Sequence, residues 1–264
     1  MRLGVLGWPV AHSRSPAMHN AALAAVGLQG WRYQLLPVPP ELFAETVRSL
    51  AQAGFRGANV TIPHTAAALA LSTDRTERAA AIGAANTLTF EPGGEIVADN
   101  TDAPALVAAL PFDARGQTAV VLGAGGSARA VVWALGGAGA RDVLIWNRTP
   151  ERARALAHEF GATALGQGDV TRDADVLVNC TAAGLDGGDS FASLPLDAGS
   201  VRNYRCVVDL VYTPSGTRLI DAAQRRGVAT VDGLEILVGQ GALSFERFTG
   251  RPAPVDVMRA AARG

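Results

Sequence analysis

Short apolar runs alternate along this chain with longer segments in which apolar residues recur at helical spacing. Runs of a few apolar residues favour strands, whereas recurrence every three or four positions favours amphipathic helices. In the first part of the chain these patterns predict strands at 2–6, 31–38 and 57–62, separated by helices at 16–26 and 40–53. Such alternation is typical of an α/β fold with a mostly parallel sheet.

Local signals mark the ends of these elements. Ser15 is predicted to be the N-cap of the first helix, with Pro16 at the first helical position, where proline loses no hydrogen bond. Gly27 follows the last periodic residue, as glycine commonly does at a helix C-terminus. The strand at 57–62 is predicted to stop at Pro63, which cannot continue a hydrogen-bonded ladder.

The rest of the chain continues the alternation, with one exception. The runs at 86–90 and 95–100 are joined by Glu91-Pro92-Gly93-Gly94, a turn sequence that predicts a hairpin. A helix that starts at 104 is predicted to end near Pro111. The remaining predicted elements are a strand–loop–helix–strand unit at 118–149, strands at 175–180 and 206–211, and helices at 235–250 and 256–262.

The chain has 264 residues, which is long enough for two domains. We predict a boundary near Asp102, ahead of the strand–loop–helix–strand unit. The last helices follow that unit and can pack back on the first domain. The predicted domains are therefore 1–102 together with 236–264, and 103–235 between them.

Composition narrows the classes of function. The formal net charge is −1, with 48% hydrophobic and 18% charged residues, which favours a folded core and argues against nucleic-acid binding. No stretch resembles a transmembrane helix or a signal peptide, so we expect a cytoplasmic protein with no membrane partner. The two cysteines, Cys180 and Cys206, are too few for a disulfide framework and lack CxxC spacing, so a reducing compartment is expected. No metal site is expected. All 23 basic residues are arginines, which excludes any chemistry by a lysine side chain.

A glycine-rich loop follows the apolar run at 118–122. It reads Gly123-Ala124-Gly125-Gly126-Ser127-Ala128 and opens a helical segment, which is the context of a dinucleotide-binding fingerprint. Gly123 permits the tight turn, Gly125 lets the backbone approach a pyrophosphate, and Ala128 keeps the helix close to the strand. The N–H groups at the helix start suit phosphate oxygens. The alternative is a glycine turn that serves packing alone.

The next predicted strand indicates which dinucleotide binds. In NAD-binding proteins an acidic residue about 20 positions after the fingerprint binds the ribose 2′-hydroxyl. Here the strand ends Ile145-Trp146-Asn147-Arg148-Thr149 and has no acid. Arg148, with Arg152 one helical turn further, can instead pair with the 2′-phosphate of NADP. The alternative is that both arginines are solvated side chains at a helix start. We predict NADP.

Four short polar segments lie at strand ends and loops of the first predicted domain. They are Ser13-Arg14-Ser15-Pro16, Asn59-Val60-Thr61-Ile62-Pro63-His64, Gly83-Ala84-Ala85-Asn86-Thr87 and Asn100-Thr101-Asp102. Ligands of open α/β sheets bind at the carboxyl ends of strands, so these hydroxyls, amides and one carboxylate suit a small polyhydroxylated substrate. Each segment alone has a structural explanation as a cap or a turn. Their combination favours a site.

Together these segments resemble the shikimate dehydrogenase family over nearly the whole chain. The resemblance is carried by GWPVAHSRSPAMHNAAL, GANVTIPH, AIGAANTL, NTDA, GAGGSARA, NRTPERA, VNCTAAGL, VVDLVYTP and DGLEILVGQGALSFERFTG. It implies reversible oxidation of shikimate to 3-dehydroshikimate with NADP+, in aromatic amino-acid biosynthesis. It also implies an N-terminal α/β substrate domain and a Rossmann-type parallel-sheet NADP domain with a cleft between them. We expect a monomer or a homodimer.

The resemblance also implies roles for individual residues. Ser13 and Ser15 would hold the substrate carboxylate, with Tyr212 near it. The ring hydroxyls would meet Asn59, Thr61, Asn86, Asp102 and Gln240. The cofactor would contact Gly123, Ala124, Gly125, Gly126, Ser127, Asn147, Arg148, Thr149 and Arg152, with Thr181, Val211 and Gly233 near the ribose and nicotinamide. His12, His19 and His158 are expected to be structural or surface residues.

One position departs from the family pattern. The family motif NVTIPHK ends in lysine, whereas this chain has Thr65. In the family, that lysine and the aspartate matching Asp102 share proton transfer at the reacting hydroxyl. Threonine is neither acid nor base near neutral pH, so we expect impaired turnover. His64 is not expected to substitute, because neighbours on an extended segment point to opposite sides.

Two alternatives to an impaired enzyme remain. One is a protein of the same fold that binds shikimate and NADPH with little or no turnover. The other is a quinate/shikimate dehydrogenase that uses NAD. Turnover at saturating substrate distinguishes the first, and a paired assay with NAD and NADP distinguishes the second.

Overall fold

The computed structural model describes residues 1–166, 168–171, 173–213 and 215–264, with only the backbone of Thr171. The chain divides into two compact units. One is formed by Met1–Asp102 with Leu237–Gly264, and the other by Ala103–Ile236. The first unit is therefore discontinuous in sequence. Ile236 lies in the second unit, whereas the sequence predicted it in the first.

The first unit contains a six-stranded sheet flanked by helices. Its strands are β1 (Arg2–Gly7), β2 (Arg32–Pro37), β3 (Phe55–Val60), β4 (Asp74–Arg75), β5 (Thr87–Phe90) and β6 (Ile96–Asp99). Its first helices are α1 (Ser15–Ala25), α2 (Phe43–Gln52), α3 (Thr65–Leu71) and α4 (Glu77–Ile82). A 3₁₀ turn at Pro40–Leu42 precedes α2, so the predicted helix at 40–53 begins with a tighter turn.

The strand order in this sheet brings three of the polar segments together. The order is β2-β1-β3-β5-β6-β4, in which β1, β2 and β3 are parallel and β5 runs antiparallel to both β3 and β6. The predicted hairpin is confirmed as β5 and β6. Asn59 at the end of β3 is in register with Thr87 at the start of β5, and Thr87 with Asp99 at the end of β6. The loops that continue from these residues therefore begin at one edge.

The second unit contains another six-stranded sheet. Its strands are β7 (Thr118–Leu122), β8 (Asp142–Trp146), β9 (Thr163–Ala164), β10 (Ala174–Asn179), β11 (Tyr204–Asp209) and β12 (Ala229–Val231). Its helices are α5 (Asp102–Ala109), which starts on the last residue of the first unit, α6 (Gly126–Gly137), α7 (Pro150–Phe160) and α8 (Arg218–Gln224). α5 ends before the predicted limit at Pro111.

The second sheet is parallel throughout and doubly wound. Its order is β12-β11-β10-β7-β8-β9. From the central strand β7 the chain first moves outward through β8 and β9, and then returns to β10 on the other side. The loops after β7 and β10 therefore leave the sheet in opposite directions, and such a switch point is where ligands bind in open α/β sheets.

The last segment of the chain completes the core of the first unit. It contains most of α9 (Gly233–Thr249) and all of α10 (Val255–Arg263). Phe245 and Phe248 on α9 are buried. A Cβ added to Gly57 on β3 would lie 2.4 Å from the Phe248 ring, so only glycine fits at that point of the strand.

Two differences from the predicted elements have local causes. The structure contains α3, α4 and α8, which the sequence did not predict, because alanine-rich segments such as TAAALAL and ERAAAI show little contrast between buried and exposed positions. The predicted N-cap is also wrong. Ser15 is the first residue of α1, and Arg14 occupies the cap position without a side-chain cap bond.

His19 is completely buried in the first unit, in agreement with a structural role. Its ring stacks on Tyr33 with 4.2 Å between centroids and lies beside Phe245 and Phe248. Among the described residues, neither ring nitrogen has a hydrogen-bond partner. Burial therefore lowers the pKa of His19 to about 3.

Acid is expected to destabilise the protein through His19. In the unfolded chain a histidine of pKa 6.5 takes up a proton below that pH, while the folded ring stays neutral to about pH 3. The stability is therefore full above pH 6.5 and is lost progressively as the pH falls towards 3. Between pH 7 and pH 5 the expected loss from this group is about 2 kcal/mol.

The variant H19F isolates this effect, because phenylalanine keeps the stacking and does not titrate. Urea unfolding at pH 7 and pH 5 should show a loss about 2 kcal/mol smaller in H19F than in the unchanged protein. H158Q, at an exposed position on α7, is the control. An unchanged pH dependence in H19F would contradict the prediction.

Candidate active site

Asn86 is the centre of a buried hydrogen-bond cluster in the first unit. Its Oδ1 accepts from the Thr101 N–H at 2.8 Å, the Thr101 hydroxyl at 3.1 Å and the Thr87 hydroxyl at 3.0 Å. These three donors identify the oxygen end of the amide and so fix its orientation. Nδ2 is left to donate on the opposite side.

Asp102 is half-buried at the first position of α5. Burial raises the pKa of its carboxyl to about 6, and the hydrogen bond from Asn86 acts in the opposite direction. Its backbone N–H donates to Oδ1 of Asn100 at 3.1 Å. A carboxylate that titrates this close to neutrality can accept and return a proton, as general acid–base catalysis requires.

Asn59 has all of its side-chain hydrogen bonds inside the unit. Its Oδ1 accepts from the hydroxyls of Tyr33 at 2.8 Å and Ser244 at 3.3 Å. Its Nδ2 donates to the Asn86 carbonyl at 3.3 Å and to Thr87 Oγ1 at 3.2 Å. An amide has two donor and two acceptor positions, so a ligand must displace one of these bonds to reach Asn59.

The remaining polar positions differ in exposure. Ser15 is buried, and its N–H donates to Oγ of the half-buried Ser13 at 3.3 Å. Thr61 is exposed. Thr65 is half-buried at the first position of α3, and its carbonyl accepts from the Ala85 N–H at 3.0 Å, which ties α3 to the loop that carries Asn86.

His64 is turned into the core and away from any proton-transfer role. It is buried, its ring stacks on Phe43 with 4.3 Å between centroids, and Nε2 lies 2.7 Å from the Val38 carbonyl. That nitrogen must therefore carry the proton and donate it to the carbonyl. The expectation that His64 does not replace the missing lysine agrees with this placement.

Gln240 on α9 reaches the Asn86 cluster from the end of the chain. It is largely buried, its Nε2 donates to the Leu237 carbonyl at 2.8 Å, and its Oε1 lies 3.5 Å from Thr101 Oγ1. Tyr212 lies in the second unit and is half-buried.

Four residues of this cluster carry no role in the sequence interpretation. Thr101 and Thr87 were visible inside two of the polar segments, next to residues that were selected. Ser244 lies one helical turn beyond Gln240, which is a weak signal. Tyr33 gives no sequence signal for the site, because an aromatic residue in a strand is usually interpreted as a core residue.

In the second unit, the glycine-rich loop joins β7 to α6. Gly123 has φ +115°, and a Cβ there would lie 3.1 Å from the Cys180 carbonyl oxygen, so only glycine fits. Gly125 is the N-cap of α6 and offers no side chain to the helix N–H groups, which leaves them available to an anion. Ala128 is completely buried, as the fingerprint requires. Ala124, Gly126 and Ser127 are half-buried.

The end of β8 presents two arginines to solvent. Arg148 and Arg152 are exposed, and within the described ranges neither forms an ion pair. Asn147 is half-buried, and its Nδ2 donates to the carbonyl of the exposed Thr149 at 2.9 Å. Two uncompensated guanidinium groups beside a glycine-rich loop fit the extra phosphate of NADP.

A second buried network lies at the carboxyl ends of β10 and β11. Asp209 accepts from Asn179 Nδ2 at 2.9 Å and the Val211 N–H at 3.1 Å through Oδ1, and from the Thr217 hydroxyl at 2.6 Å through Oδ2. Oδ1 of Asn179 accepts from both the N–H and the hydroxyl of Thr181, at 3.0 and 2.7 Å. Burial raises the pKa of Asp209 to about 6.

Two of the predicted cofactor residues belong to this network and one lies against it. Thr181 and Val211 are held by Asn179 and Asp209 respectively. Gly233 is buried, and a Cβ there would lie 2.6 Å from the Val211 carbonyl oxygen. Across the switch point, the Cys180–Thr181 segment occupies the space that a Cβ on Gly123 would need.

The described residues include neither a membrane-spanning helix nor a cluster of metal-binding side chains. No helix among them has the length and hydropathy to cross a membrane. No group of three or more histidine, cysteine, aspartate or glutamate side chains in those ranges could hold a metal ion.

Family models match three parts of the chain. Residues 5–88 match the shikimate dehydrogenase substrate binding domain, residues 107–185 match shikimate / quinate 5-dehydrogenase, and residues 233–263 match the shikimate 5′-dehydrogenase C-terminal domain.

Individual relatives agree with these models. Shikimate dehydrogenase (NADP(+)) of Methylobacterium radiotolerans is 46% identical, over 98% of this chain and 95% of that protein. The protein of the same name from Paracoccus denitrificans is 44% identical, over 96% of this chain and 92% of its own length. Shikimate 5-dehydrogenase from Thermus thermophilus, crystallised with NADP(H) and shikimate, superposes with a TM-score of 0.89 at 41% identity, over 100% of this chain and 98% of that one. Similarity of this extent, in sequence and in fold, shows that the chain belongs to the shikimate dehydrogenase family.

Proposed function

We propose that this chain catalyses the reversible NADP-dependent oxidation of shikimate to 3-dehydroshikimate, as a cytoplasmic enzyme of aromatic amino-acid biosynthesis. The observation that carries the proposal is the buried cluster in which Thr87 and Thr101 fix Asn86; Thr101 is followed directly in the chain by Asp102, whose carboxyl has a pKa raised to about 6 by burial. Family membership supports the same reaction. We expect a monomer or a homodimer, which sedimentation distinguishes.

The first unit is proposed to bind the substrate. Ser13 and Ser15, joined by a hydrogen bond at the start of α1, would hold the carboxylate of shikimate. Asn86, Asp102, Gln240 and the exposed Thr61 would meet the ring hydroxyls. Asn59, whose amide is already satisfied, would act mainly by holding the Asn86 backbone in place.

The second unit is proposed to bind the cofactor. When bound, NADP+ supplies the hydride acceptor. The fit rests on Gly123, which leaves no space for a side chain beside Cys180, and on the uncompensated Arg148 and Arg152. The pyrophosphate would lie on the loop from Gly123 to Ser127, and the 2′-phosphate near Asn147, Arg148, Thr149 and Arg152. Thr181, Val211 and Gly233 would border the nicotinamide side.

Proton transfer is proposed to depend on Asp102. As the hydride leaves the carbon, the hydroxyl proton passes to the Asp102 carboxylate and from there to water. Above pH 6 most of this carboxyl is ionised and can accept the proton. Thr65 can donate a hydrogen bond to the hydroxyl oxygen but cannot take up the proton, so we propose that turnover is slow.

The direct test is the reduction of NADP+ in the presence of shikimate, combined with calorimetric titration of shikimate. We expect shikimate binding together with slow, Asp102-dependent turnover that D102N abolishes. A protein that binds both ligands without any turnover would support the binding-protein alternative. Oxidation of quinate with NAD+ at a higher kcat/KM would support the other alternative, and the absence of shikimate binding would overturn the proposal.

Arg148 is expected to determine the preference for NADP. Replacing it by serine removes a charge-assisted, bidentate contact to the 2′-phosphate and should weaken NADP+ binding about 10- to 100-fold. NAD+ binding should hardly change, since NAD+ lacks that phosphate. Calorimetry measures both affinities independently of turnover.

The control for this variant is R154S. Arg154 lies on α7, the helix that follows Arg148 in the chain; it is also an exposed arginine, and it pairs with Glu151 at 3.1 Å. Equal affinities of R148S and R154S for NADP+ would remove Arg148 from the cofactor site.

A further inference from the structure

The carboxyl ends of β10 and β11 are joined by one buried carboxylate. In register, Asn179 on β10 faces Asp209 on β11, and both side chains are completely buried. Within the described part of the chain, Asp209 forms no ion pair with an arginine. Its carboxylate instead accepts three hydrogen bonds, from Asn179, Val211 and Thr217.

Burying a carboxylate without a cation lowers the stability of the fold, so its presence here indicates a specific role. Apolar residues of similar size would fill the same space at lower electrostatic cost. What they could not do is accept hydrogen bonds from two different loops at once. One bond goes directly to the backbone of Val211, in the loop after β11, and the other passes through Asn179 to the loop after β10.

The connection through Asn179 is directional. Because Asp209 accepts from Nδ2, the Asn179 amide must turn its Oδ1 the other way, towards Thr181. Oδ1 then accepts from both the N–H and the hydroxyl of Thr181. Thr181 in turn accepts from the Ala183 N–H at 3.1 Å, so the first residues of this loop are held by consecutive hydrogen bonds.

The loops held in this way border the dinucleotide loop. A Cβ added to Gly123 would first meet the Cys180 carbonyl and the Thr181 methyl group, and one added to Gly233 would meet the Val211 carbonyl. A shift of the Cys180–Thr181 segment would therefore change the space beside the Gly123 turn, where the backbone has no room to adjust.

We infer that Asp209 is a positioning residue for the dinucleotide, which sets the loops after β10 and β11 through Asn179 and the Val211 N–H without touching the cofactor itself. This inference rests on the proposed binding of NADP by the second unit. It assigns to Asp209 and Asn179 a role that their burial alone would not suggest.

Three variants test the inference by calorimetric titration with NADPH and, separately, with shikimate. D209A removes all three acceptor bonds, and we expect its Kd for NADPH to rise at least about tenfold. D209N keeps an acceptor oxygen for Val211 and Asn179 and should recover most of that affinity. N179A removes only the connection through Asn179 to Thr181, so its Kd for NADPH should lie between those of D209A and D209N. The shikimate Kd should stay unchanged in all three, because shikimate is proposed to bind mainly in the first unit.

D221N is the matched control. It removes a carboxylate from α8 in the same unit, at a surface pair with Arg225 at 3.0 Å. The unchanged protein distinguishes failure of the inference from failure of the proposed function. If the unchanged protein does not bind NADPH, the proposed function itself is overturned. The inference is overturned if the unchanged protein binds NADPH and both D209N and N179A bind it with the same affinity as the unchanged protein. This holds even where D209A does not fold, because the other two variants then carry the test.

A merely structural role is distinguished by the kinetic pattern. Loss of loop positioning in D209A should raise KM for NADP+ more than it lowers kcat, and D209N should restore the KM. A general loss of folded protein would lower kcat and shikimate-binding capacity together and leave KM unchanged. That second pattern would contradict the inference.

Discussion

Replacing Thr65 by lysine is expected to raise kcat for shikimate oxidation by about 10²- to 10⁴-fold. The lysine would occupy the first position of α3, whose carbonyl accepts from the N–H of Ala85, the residue before Asn86. A charged group there can exchange protons with the reacting hydroxyl and favours the ionised form of Asp102. Shikimate affinity should change far less, because the other proposed ligands stay in place. Initial rates of NADP+ reduction and calorimetry measure the two effects.

A66K is the matched control for T65K. It places the same side chain on the next residue of α3, at an exposed position, and so also introduces a lysine into a chain that has none. We expect A66K to leave kcat unchanged. If the unchanged protein already turns over fast and T65K gains less than about tenfold, the lysine role implied by the family does not apply here. Asp102 would then perform the proton transfer alone.

Asp99 is expected to be the most sensitive charged residue for stability. It is buried at the end of β6, and Arg78 on α4 donates to both of its carboxylate oxygens at 2.8 Å. Arg247 on α9 donates to Oδ2 at 3.1 Å. Replacing Asp99 by asparagine leaves two arginines, each about one-third exposed, facing a neutral group. We expect D99N to lower the free energy of unfolding by about 3 kcal/mol.

Urea unfolding followed by circular dichroism measures this loss, with E91Q as control. Glu91 pairs with Arg56 at 2.9 Å, but that pair is more exposed and should contribute less than about 1 kcal/mol. Adding R247M to D99N should recover part of the loss, since it removes one of the unpaired charges. A D99N midpoint no lower than that of E91Q would contradict the prediction.

Local signals sufficed for the first strand, the glycine-rich loop and the helix after it in the second unit. The run 118–122, the glycine loop and the helix after it are consecutive in sequence, and each of their constraints is local. Gly123 and Ala128 therefore take the positions that the fingerprint assigns. The Ser15 cap failed on equally local grounds, because the helix begins at that residue and the Ser13 hydroxyl accepts its N–H.

The partners of the polar segments could not be predicted in the same way. Asn59 looks like a ligand in sequence, but its amide is satisfied by Tyr33 and Ser244, which are 26 and 185 residues away. Periodicity carries no information about such pairs. Asp209 shows the same limit, since an aspartate inside an apolar strand indicates nothing until Asn179 and Val211 are seen beside it.

The discontinuous first unit has a consequence for protein synthesis. Its core requires Phe245 and Phe248, and its buried Asp99 requires Arg247, yet these residues leave the ribosome after the whole second unit has been made. The contiguous second unit can fold as soon as it emerges, whereas strands β1 to β6, although translated first, must wait for α9. During translation the substrate half is therefore the part with exposed apolar surface, and it is the part that chaperones would bind.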